Sequence, residues 1–208
     1  MKNTSIFIVE DHQLLRETWN LIINAEPGFA VVGHAATGEE ALKMADLLRP
    51  DIIMMDINLP GLSGIDTTKL ILKKLPSTRI VAVSFLNNLS YVRAMLKAGA
   101  SGYLTKNAST RELIKAFEEI LEGKHYVSSE IKEMLSNELM DPEAKEKQLS
   151  FREMEVIALL KKGHSSKEIA GQLFLSVKTV EVHRSNILRK LGLKNTAALV
   201  DYIHRRMP

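Results

Sequence analysis

Five polar side chains in this sequence stand at or just beyond the ends of short apolar runs, where they could act together on a phosphoryl group. Glu10 and Asp11 follow the first run, and Asp56 ends another. Ser84 ends a further run, and Lys106 follows the last. Three crowded carboxylates need a cation to offset their repulsion, and oxygen ligands of this kind suit Mg²⁺ or Mn²⁺. With an ammonium group and a hydroxyl beside the metal, Asp56 could carry a phosphoryl group.

Each of these side chains also has an ordinary structural explanation. Asp11 could be only a helix cap, Lys106 a solvated surface charge, and Ser84 a core hydroxyl that bonds to backbone. A functional site is favoured because all of them end or follow predicted strands of one sheet. A carboxylate at the end of a buried strand lies where open α/β folds bind their ligands, so Asp56 is the candidate reactive group.

The segments that position these groups alternate between strand and helix. Short runs rich in apolar and β-branched residues predict five strands, at residues 5–9, 29–35, 52–56, 79–84 and 102–105. Apolar residues at helical spacing and two capping boxes predict a helix after each strand. Five such pairs in roughly 120 residues predict an α/β doubly wound, five-stranded parallel sheet.

Composition limits the compartment and the kinds of site that the chain can form. The sequence has no cysteine, which excludes disulfides and thiolate metal sites and fits a reducing compartment. Neither a signal peptide nor an apolar run of membrane-spanning length is visible. We therefore expect a cytoplasmic protein with no membrane partner.

Charge is unevenly divided along the chain. Residues 149–208 contain 11 Lys and Arg against 5 Asp and Glu, whereas residues 1–148 contain 17 against 20. A basic C-terminal part behind a mildly acidic body indicates a nucleic-acid-binding module attached to a sensing domain. A solvated basic surface is the alternative, and charge alone leaves both open.

The C-terminal part has no strand pattern. After a first domain of residues 1–123, residues 124–148 form a charged, Pro-containing stretch that predicts a linker, partly helical. Residues 149–208 predict an all-α domain of four helices, because serine caps and glycines divide an apolar pattern of helical spacing. The tight connection Phe174–Ser176 between the second and third helices is typical of a helix-turn-helix.

The N-terminal motifs resemble the receiver domain of two-component response regulators. The motifs are Glu10-Asp11, Asp56 with Pro60-Gly61, Ser84, and Gly102-Tyr103-Leu104-Thr105-Lys106. The resemblance implies a CheY/flavodoxin-like fold and phosphorylation of Asp56 by a sensor histidine kinase. It also implies that Asp11, Asp56 and the backbone carbonyl of Asn58 hold Mg²⁺, with Glu10 acting mostly through water.

The same resemblance implies a switch beside Asp56. Ser84 and Lys106 would contact the phosphoryl oxygens, and Tyr103 would turn inward when Ser84 moves. Two positions depart from the family pattern, because Phe85 stands where a small residue is usual and Asn107 where many members have Pro. Phe85 puts access to the site in question, unless its ring packs in the core. Asn107 puts in question a cis peptide that would brace Lys106.

The C-terminal motifs resemble the LuxR-type helix-turn-helix. They are Ser150-Phe-Arg-Glu-Met-Glu-Val-Ile, Lys167-Glu-Ile-Ala and Ser176-Val-Lys-Thr-Val-Glu-Val-His-Arg-Ser-Asn-Ile. Together, the two resemblances identify the chain as a member of the NarL/FixJ class of response regulators. They imply double-stranded DNA as a partner, a homodimer on that DNA, and RNA polymerase as a further partner.

The third helix of the C-terminal domain would enter the major groove and carry six DNA contacts. The resemblance assigns phosphate contacts to Lys178, Thr179 and Arg184, and base-edge contacts to Glu181, Val182 and Ser185. Glu181 stands where the family often has Lys, and a carboxylate there can accept from a cytosine amino group. A solvent-facing charge is the alternative for Glu181.

These observations predict a transcription factor controlled by phosphorylation, which catalyses nothing beyond the transfer and loss of its own phosphoryl group. One rival is an α/β phosphatase that uses Asp56 as a turnover nucleophile, although no second acid or base follows Asp56. The other rival is a regulator whose receiver acts without phosphate, as a protein-interaction module. That second alternative stays open because Phe85 would crowd the site.

Overall fold

The computed structural model describes residues 3–85, 89–140 and 149–206. The chain divides into two compact units, Met1–Leu135 and Ser136–Pro208. Within the described residues, no peptide bond is cis, including the one after Lys106. No helix among them is long and apolar enough to cross a membrane.

The first unit contains a six-stranded parallel sheet. Its strands are β1 Thr4–Val9, β2 Phe29–Ala35, β3 Ile52–Asp56, β4 Arg79–Ser84, β5 Gly102–Thr105 and β6 Tyr126–Val127. Their order across the sheet is β2-β1-β3-β4-β5-β6, and every neighbouring pair is parallel. The predicted doubly wound α/β fold is confirmed, and the order of the first five strands is the flavodoxin-like one.

The predicted count of five strands was one too few. The sixth strand, β6, spans only Tyr126–Val127, which is too short to show any periodicity in sequence. It is held to the sheet edge by backbone hydrogen bonds from Tyr126 to Ser101 and from Ser128 to Tyr103, both 3.1 Å long. Tertiary pairing, rather than local pattern, makes this segment a strand.

Helices follow the strands and cover the sheet. They are α1 Gln13–Ala25, α2 Gly38–Leu48, α3 Gly64–Lys74, α4 Leu89–Lys97, α5 Thr110–Leu121 and α6 Ser129–Met140. Three of them are capped by the preceding residues Thr37, Ser63 and Ser109, whose side chains each accept the backbone N–H three residues later. These caps fix where each helix starts after its strand and loop.

The central strands form the core of the first unit. Ile6–Val9 of β1 and Ile52–Met55 of β3 are at most 1 % exposed, as expected for parallel strands covered on both faces. Aromatic side chains from the helices pack against them, including Trp19 and Phe117, and the Phe29 and Phe117 rings lie 5.5 Å apart. This packing fixes the strands whose carboxyl ends carry the candidate residues.

The stretch predicted as a linker, 124–148, begins with folded structure. It contains β6 and α6, and Ile131 of α6 is fully buried within the first unit. The first unit therefore extends beyond residue 123, to Leu135. Residues 141–148, the charged part of the predicted linker, lie outside the described residues.

The second unit is helical, as predicted. Its helices are α7 Phe151–Lys161, α8 Ser166–Gln172, α9 Val177–Leu191 and α10 Thr196–Arg206. They surround a core that includes Val156, Ile169, Val180, Ile187 and Leu199. The turn between α8 and α9 contains Phe174 at a φ of 54°, a conformation uncommon for a residue with a side chain.

Two capping boxes start α7 and α8, and one of them also links two helices. Ser150 and Glu153 form the first box, and Ser165 and Glu168 form the second. Glu153 is 3 % exposed, and its Oε2 also lies 2.7 Å from Lys190 Nζ of α9. Burial alone would raise the pKa of Glu153, but the hydrogen bonds from Lys190 and Ser150 outweigh it and lower that pKa.

We expect Glu153→Gln to destabilise the second unit by about 1–3 kcal/mol at neutral pH, because the variant weakens a charged hydrogen bond to Lys190. A lowered folded-state pKa stabilises the fold above the unfolded value of 4.5, and this contribution is lost as the pH falls through the folded pKa. The free-energy difference between wild type and variant should therefore shrink as the pH falls below 4.5. Hydrogen exchange of α7 and α9 amides in the full chain measures this difference in the free energy of unfolding.

Glu168→Gln is the matched control, because it removes the other capping-box carboxylate, which is exposed and has no lysine partner in its box. It should destabilise the unit less than Glu153→Gln. A difference for Glu153→Gln that stays constant across the acid range would contradict the assigned ion pair.

Candidate functional site

The carboxyl ends of four adjacent strands bring the candidate residues to one edge of the sheet. Asp56 is the last residue of β3 and is 2 % exposed. Glu10 and Asp11 follow β1, Ser84 ends β4, and Lys106 follows β5. Because these strands are parallel neighbours, their ends open onto a single site.

The Lys106 ammonium group lies between two buried carboxylates. Its Nζ is 2.6 Å from Glu10 Oε2 and 2.9 Å from Asp56 Oδ2, and all three side chains are at most 3 % exposed. The Lys106 backbone N–H donates to the carbonyl of Ser84 at 2.8 Å, which anchors the start of the loop after β5. The alternative that Lys106 is a solvated surface charge is therefore wrong. The lysine offsets part of the negative charge of Glu10 and Asp56.

His12 joins the acidic cluster and was not singled out from the sequence. Its Nδ1 lies 2.9 Å from Glu10 Oε1 and 2.8 Å from Asp11 Oδ1. The hydrogen bond with Glu10, followed by the negative charge of Asp11, raises the pKa of His12. Its position directly after two acids was the only signal that the sequence offered.

The cluster has the composition of a cation site. One ligand atom each from Glu10, Asp11, His12 and Asp56 lies within 4.8 Å of the others. Asp11 Oδ1 is shielded from solvent, and the His12 imidazole at 2.8 Å is the contact that a bound cation would replace or share. Three carboxylates grouped this closely fit a hard divalent ion.

The loop after β3 folds over Asp56. The Asn58 N–H donates to Asp56 Oδ1 at 3.2 Å, which keeps the Asn58 backbone beside the site. Glu39 of α2 holds the same loop, because its Oε1 accepts the Leu62 N–H at 3.0 Å. Gly64 begins α3 so close to the Asp56 carbonyl that an added Cβ would clash with that oxygen. The loop is therefore tied down on both sides of the Asp56 carboxylate.

Ser84 and Tyr103 form a buried pair behind the site. Ser84 is 1 % exposed and Tyr103 is fully buried, and their side chains share a hydrogen bond. Burial raises the pKa of the Tyr103 phenol far above its usual range, and the Ser84 hydroxyl only partly offsets this effect. Tyr103 therefore lies in the inward position here and stays neutral at physiological pH.

Phe85 lies at the surface beside the site. Its side chain is 56 % exposed, so the alternative that it packs in the core is wrong. Lys106 Nζ is 5.1 Å from the centroid of the Phe85 ring and 5.9 Å from that of Trp19. Two aromatic faces thus flank the ammonium group at cation–π distance. The next residue, Leu86, lies outside the described residues.

In the second unit, the predicted DNA contacts lie on α9 and differ in exposure. Lys178, Glu181, Val182 and Ser185 are exposed. Thr179 is partly buried, and its hydroxyl lies 2.8 Å from that of the helix cap Ser176. Its side chain is thus engaged within the start of the helix.

Arg184 belongs to a polar cluster that connects three helices. Its guanidinium donates to Ser166 of α8, to Glu181 Oε1 at 3.3 Å and to Thr196 of α10 at 3.2 Å. Its side chain is 18 % exposed. Glu181 also accepts a hydrogen bond from Ser166, so it is more than a solvent-facing charge. Glu181 and Arg184 therefore hold α9 against its neighbours.

Known proteins resemble both units. Residues 6–118 match the family described as response regulator receiver domain, and residues 147–203 match bacterial regulatory proteins of the luxR family. The chain is 36 % identical over 206 residues to the oxygen regulatory protein NreC of Staphylococcus aureus, covering 95 % of each chain. This chain belongs to the LuxR-type response regulators.

Solved structures agree with this assignment. RcsB of Salmonella enterica serovar Typhimurium, bound to promoter rprA with the phosphomimetic BeF₃⁻, superposes with a TM-score of 0.78 at 24 % identity, covering 98 % of this chain and 99 % of RcsB. A structure of two RcsB dimers bound to two parallel DNAs gives 0.62 at 25 % identity, covering 99 % and 100 %. Because both of its units match these families, the response regulator described here is a DNA-binding transcription regulator controlled through its receiver domain.

In this response regulator, Phe85 is expected to restrict access to Asp56. Phosphodonor and hydrolytic water both need a direct approach to the reacting atoms, and small misplacements of either can cost orders of magnitude in rate. We expect Phe85→Ala to speed both labelling by acetyl phosphate and loss of the label. Stopped-flow and phosphate-release measurements give the two rates.

Phe174→Ala is the matched control, because Phe174 is also exposed but lies in the second unit. It should leave both rates unchanged. Rates for Phe85→Ala that stay within about twofold of wild type, roughly 0.4 kcal/mol of barrier, would show that the ring does not gate the site.

Proposed function

We propose that Asp56 accepts a phosphoryl group from a sensor histidine kinase. The observation that supports this most directly is the enclosed cluster in which Lys106 bridges Glu10 and Asp56. Asp11, Asp56 and the Asn58 carbonyl would hold Mg²⁺, with Mn²⁺ as an alternative and Glu10 acting mostly through water. When bound, the metal would supply positive charge against the phosphoryl oxygens.

Side chains of the protein would make the remaining contacts with the phosphoryl oxygens. Lys106 neutralises Asp56 in this structure and would contact a phosphoryl oxygen once the group is attached, so its charge stays at the site throughout. Ser84 would contact a second phosphoryl oxygen. Moving Ser84 would break its hydrogen bond with Tyr103, which joins the chemistry to a side chain packed inside the sheet.

The receiver would act on itself and not as an enzyme on other substrates. The proposal gives it one acceptor, Asp56, which lies beside a loop that Asn58 and Glu39 tie down. A receiver that works without phosphate, as a protein-interaction module, is a second candidate. The ring of Phe85 beside Lys106 favours that candidate if it blocks every donor.

The second unit would bind double-stranded DNA as a homodimer. Exposed Lys178, Val182 and Ser185 project from α9, whose preceding turn is that of a helix-turn-helix. The RcsB dimers bound to DNA support the dimeric form. Bound near a promoter, the dimer would act by contact with RNA polymerase. Chromosomal DNA as a target makes the cytoplasm the proposed place of action.

The phosphorylation proposal predicts a single labelled residue. With Mg²⁺ and acetyl phosphate or beryllofluoride, the wild-type chain should gain one group, and Asp56→Asn should gain none. Asp11→Asn should weaken metal binding and slow labelling while its circular dichroism stays unchanged. Intact-mass spectrometry measures the modification.

A label that persists in Asp56→Asn would refute Asp56 as the acceptor. A wild-type chain that no small donor or kinase labels, but that still binds DNA, would favour the receiver without phosphate. Turnover of small phosphate esters would instead point to a phosphatase.

The DNA-binding proposal predicts different effects for neighbouring side chains of α9. On an inverted repeat with half-sites about one helical turn apart, Lys178→Ala should weaken binding to all sequences and reduce the salt slope by about 1. Ser185→Ala should change the preference at one base pair. Selection from a random DNA pool, followed by anisotropy titrations at several salt concentrations, measures both effects.

Arg184→Ala is the informative contrast, because Arg184 contacts Ser166 and Thr196 within the protein. It should lower the stability of the second unit, whereas Lys178→Ala should not. Equal salt slopes for wild type and Lys178→Ala, or tight binding of a single half-site by a monomer, would contradict the proposal.

A further inference from the structure

His12 faces the acidic cluster from the side opposite Lys106. Glu10 presents one carboxylate oxygen to each, since Oε2 is 2.6 Å from Lys106 Nζ and Oε1 is 2.9 Å from His12 Nδ1. The same His12 nitrogen is 2.8 Å from Asp11 Oδ1. An ammonium group and an imidazole thus share one carboxylate without competing for the same oxygen.

The His12 side chain is held in place although 65 % of it is exposed. Its own backbone N–H donates to Glu10 Oε1 at 3.2 Å, which folds the short segment between β1 and α1 around that carboxylate. Arg16 of α1 donates to the backbone carbonyls of Glu10 and Asp11 at 2.7 and 3.1 Å, which fixes the same segment from the other side. The imidazole is therefore directed toward the acids by backbone geometry.

The spacing of these groups suits a single ion. One atom from each of Glu10, Asp11, His12 and Asp56 falls within 4.8 Å of the others. Oxygen and nitrogen ligands lie about 2.0–2.2 Å from a small divalent metal, so ligands on opposite sides of it are roughly 4 Å apart. Small side-chain shifts would close the remaining gap. The nitrogen that faces the acids is thus within reach of any ion that Asp11 and Asp56 hold.

We propose that His12 is a direct ligand of the cation at this site, which makes the site a mixed nitrogen–oxygen one. Such a site binds divalent transition metals that accept imidazole, such as Co²⁺ and Ni²⁺, more tightly than its carboxylates alone would. Mg²⁺ gains little, because it prefers oxygen ligands and keeps its waters. The inference rests on the metal site of the proposed function but not on phosphoryl transfer.

The experiment compares the metal preference of the full chain before and after removal of the imidazole. The protein contains a single Trp, and the Trp19 ring lies 5.9 Å from Lys106 Nζ, so its fluorescence reports metal binding nearby. Titrations of metal-free wild type and His12→Asn with Co²⁺ and with Mg²⁺ give four dissociation constants. We expect His12→Asn to weaken Co²⁺ binding at least about tenfold and Mg²⁺ binding less than about twofold.

His125→Asn is the matched control, because His125 lies beside Gly123 and Lys124 after α5, and it should leave both constants unchanged. Spin-echo spectra of bound Mn²⁺ give a second readout, since coupling to an imidazole nitrogen should be present in wild type and absent in His12→Asn. Circular dichroism verifies that each variant is folded.

Two results would overturn the inference. Equal loss of Co²⁺ and Mg²⁺ affinity in His12→Asn, without a nitrogen signal in the wild type, would mean that His12 only hydrogen-bonds to Glu10 and Asp11. Unchanged affinities for both ions would mean that the imidazole has no role at the site. A wild type that binds neither ion would refute the metal site of the proposed function as well. The two results above would refute only the role of His12, so the two failures can be told apart.

Discussion

The buried ion pairs of Lys106 with Glu10 and Asp56 are the interaction on which the first unit depends. A lone charge cannot be held at 2 or 3 % exposure without a partner, and removal of one partner from such a group costs about 3–5 kcal/mol. The same arrangement places a cation beside the Asp56 carboxylate, as the proposed acceptor of a phosphoryl group requires. Stability of the sheet edge and readiness for chemistry thus come from the same atoms.

The parallel sheet makes this arrangement possible. Strands that all run in one direction bring their carboxyl ends to one edge, so the acids after β1 and at the end of β3 meet the lysine after β5 without any long loop. The hydrogen bond between Ser84 and Tyr103 extends the site into the core. β6 pairs with β5, the strand that carries Tyr103, and the Ser128 N–H donates to the Tyr103 carbonyl. A change at the proposed phosphoryl site would therefore have a short physical route to the segment that follows β6.

In the DNA-binding unit, charged side chains divide between holding the helices and facing the solvent. Glu153 and Lys190 connect α7 to α9, while Arg184 links α9 to α8 and α10. These charges are buried or partly buried and directed inward, so they are already engaged before DNA arrives. Exposed Lys178 has no such internal role among the described contacts and is available to a phosphate. The net basic charge of this region therefore overstates the number of cations that are free to bind DNA.

The sequence by itself determined where the first five strands and their helices follow one another along the chain, because apolar periodicity and capping are local properties. It also supplied the helix caps and the acidic and basic groups of the site. Only the tertiary structure decided the rest. β6 exists because an edge of the sheet is available to pair with it, and His12 joins the acids because of how the loop after β1 folds. Phe85 lies at the surface beside Lys106, and Arg184 is directed inward. These outcomes depend on the neighbours that packing brings together, and no local pattern of residues encodes them.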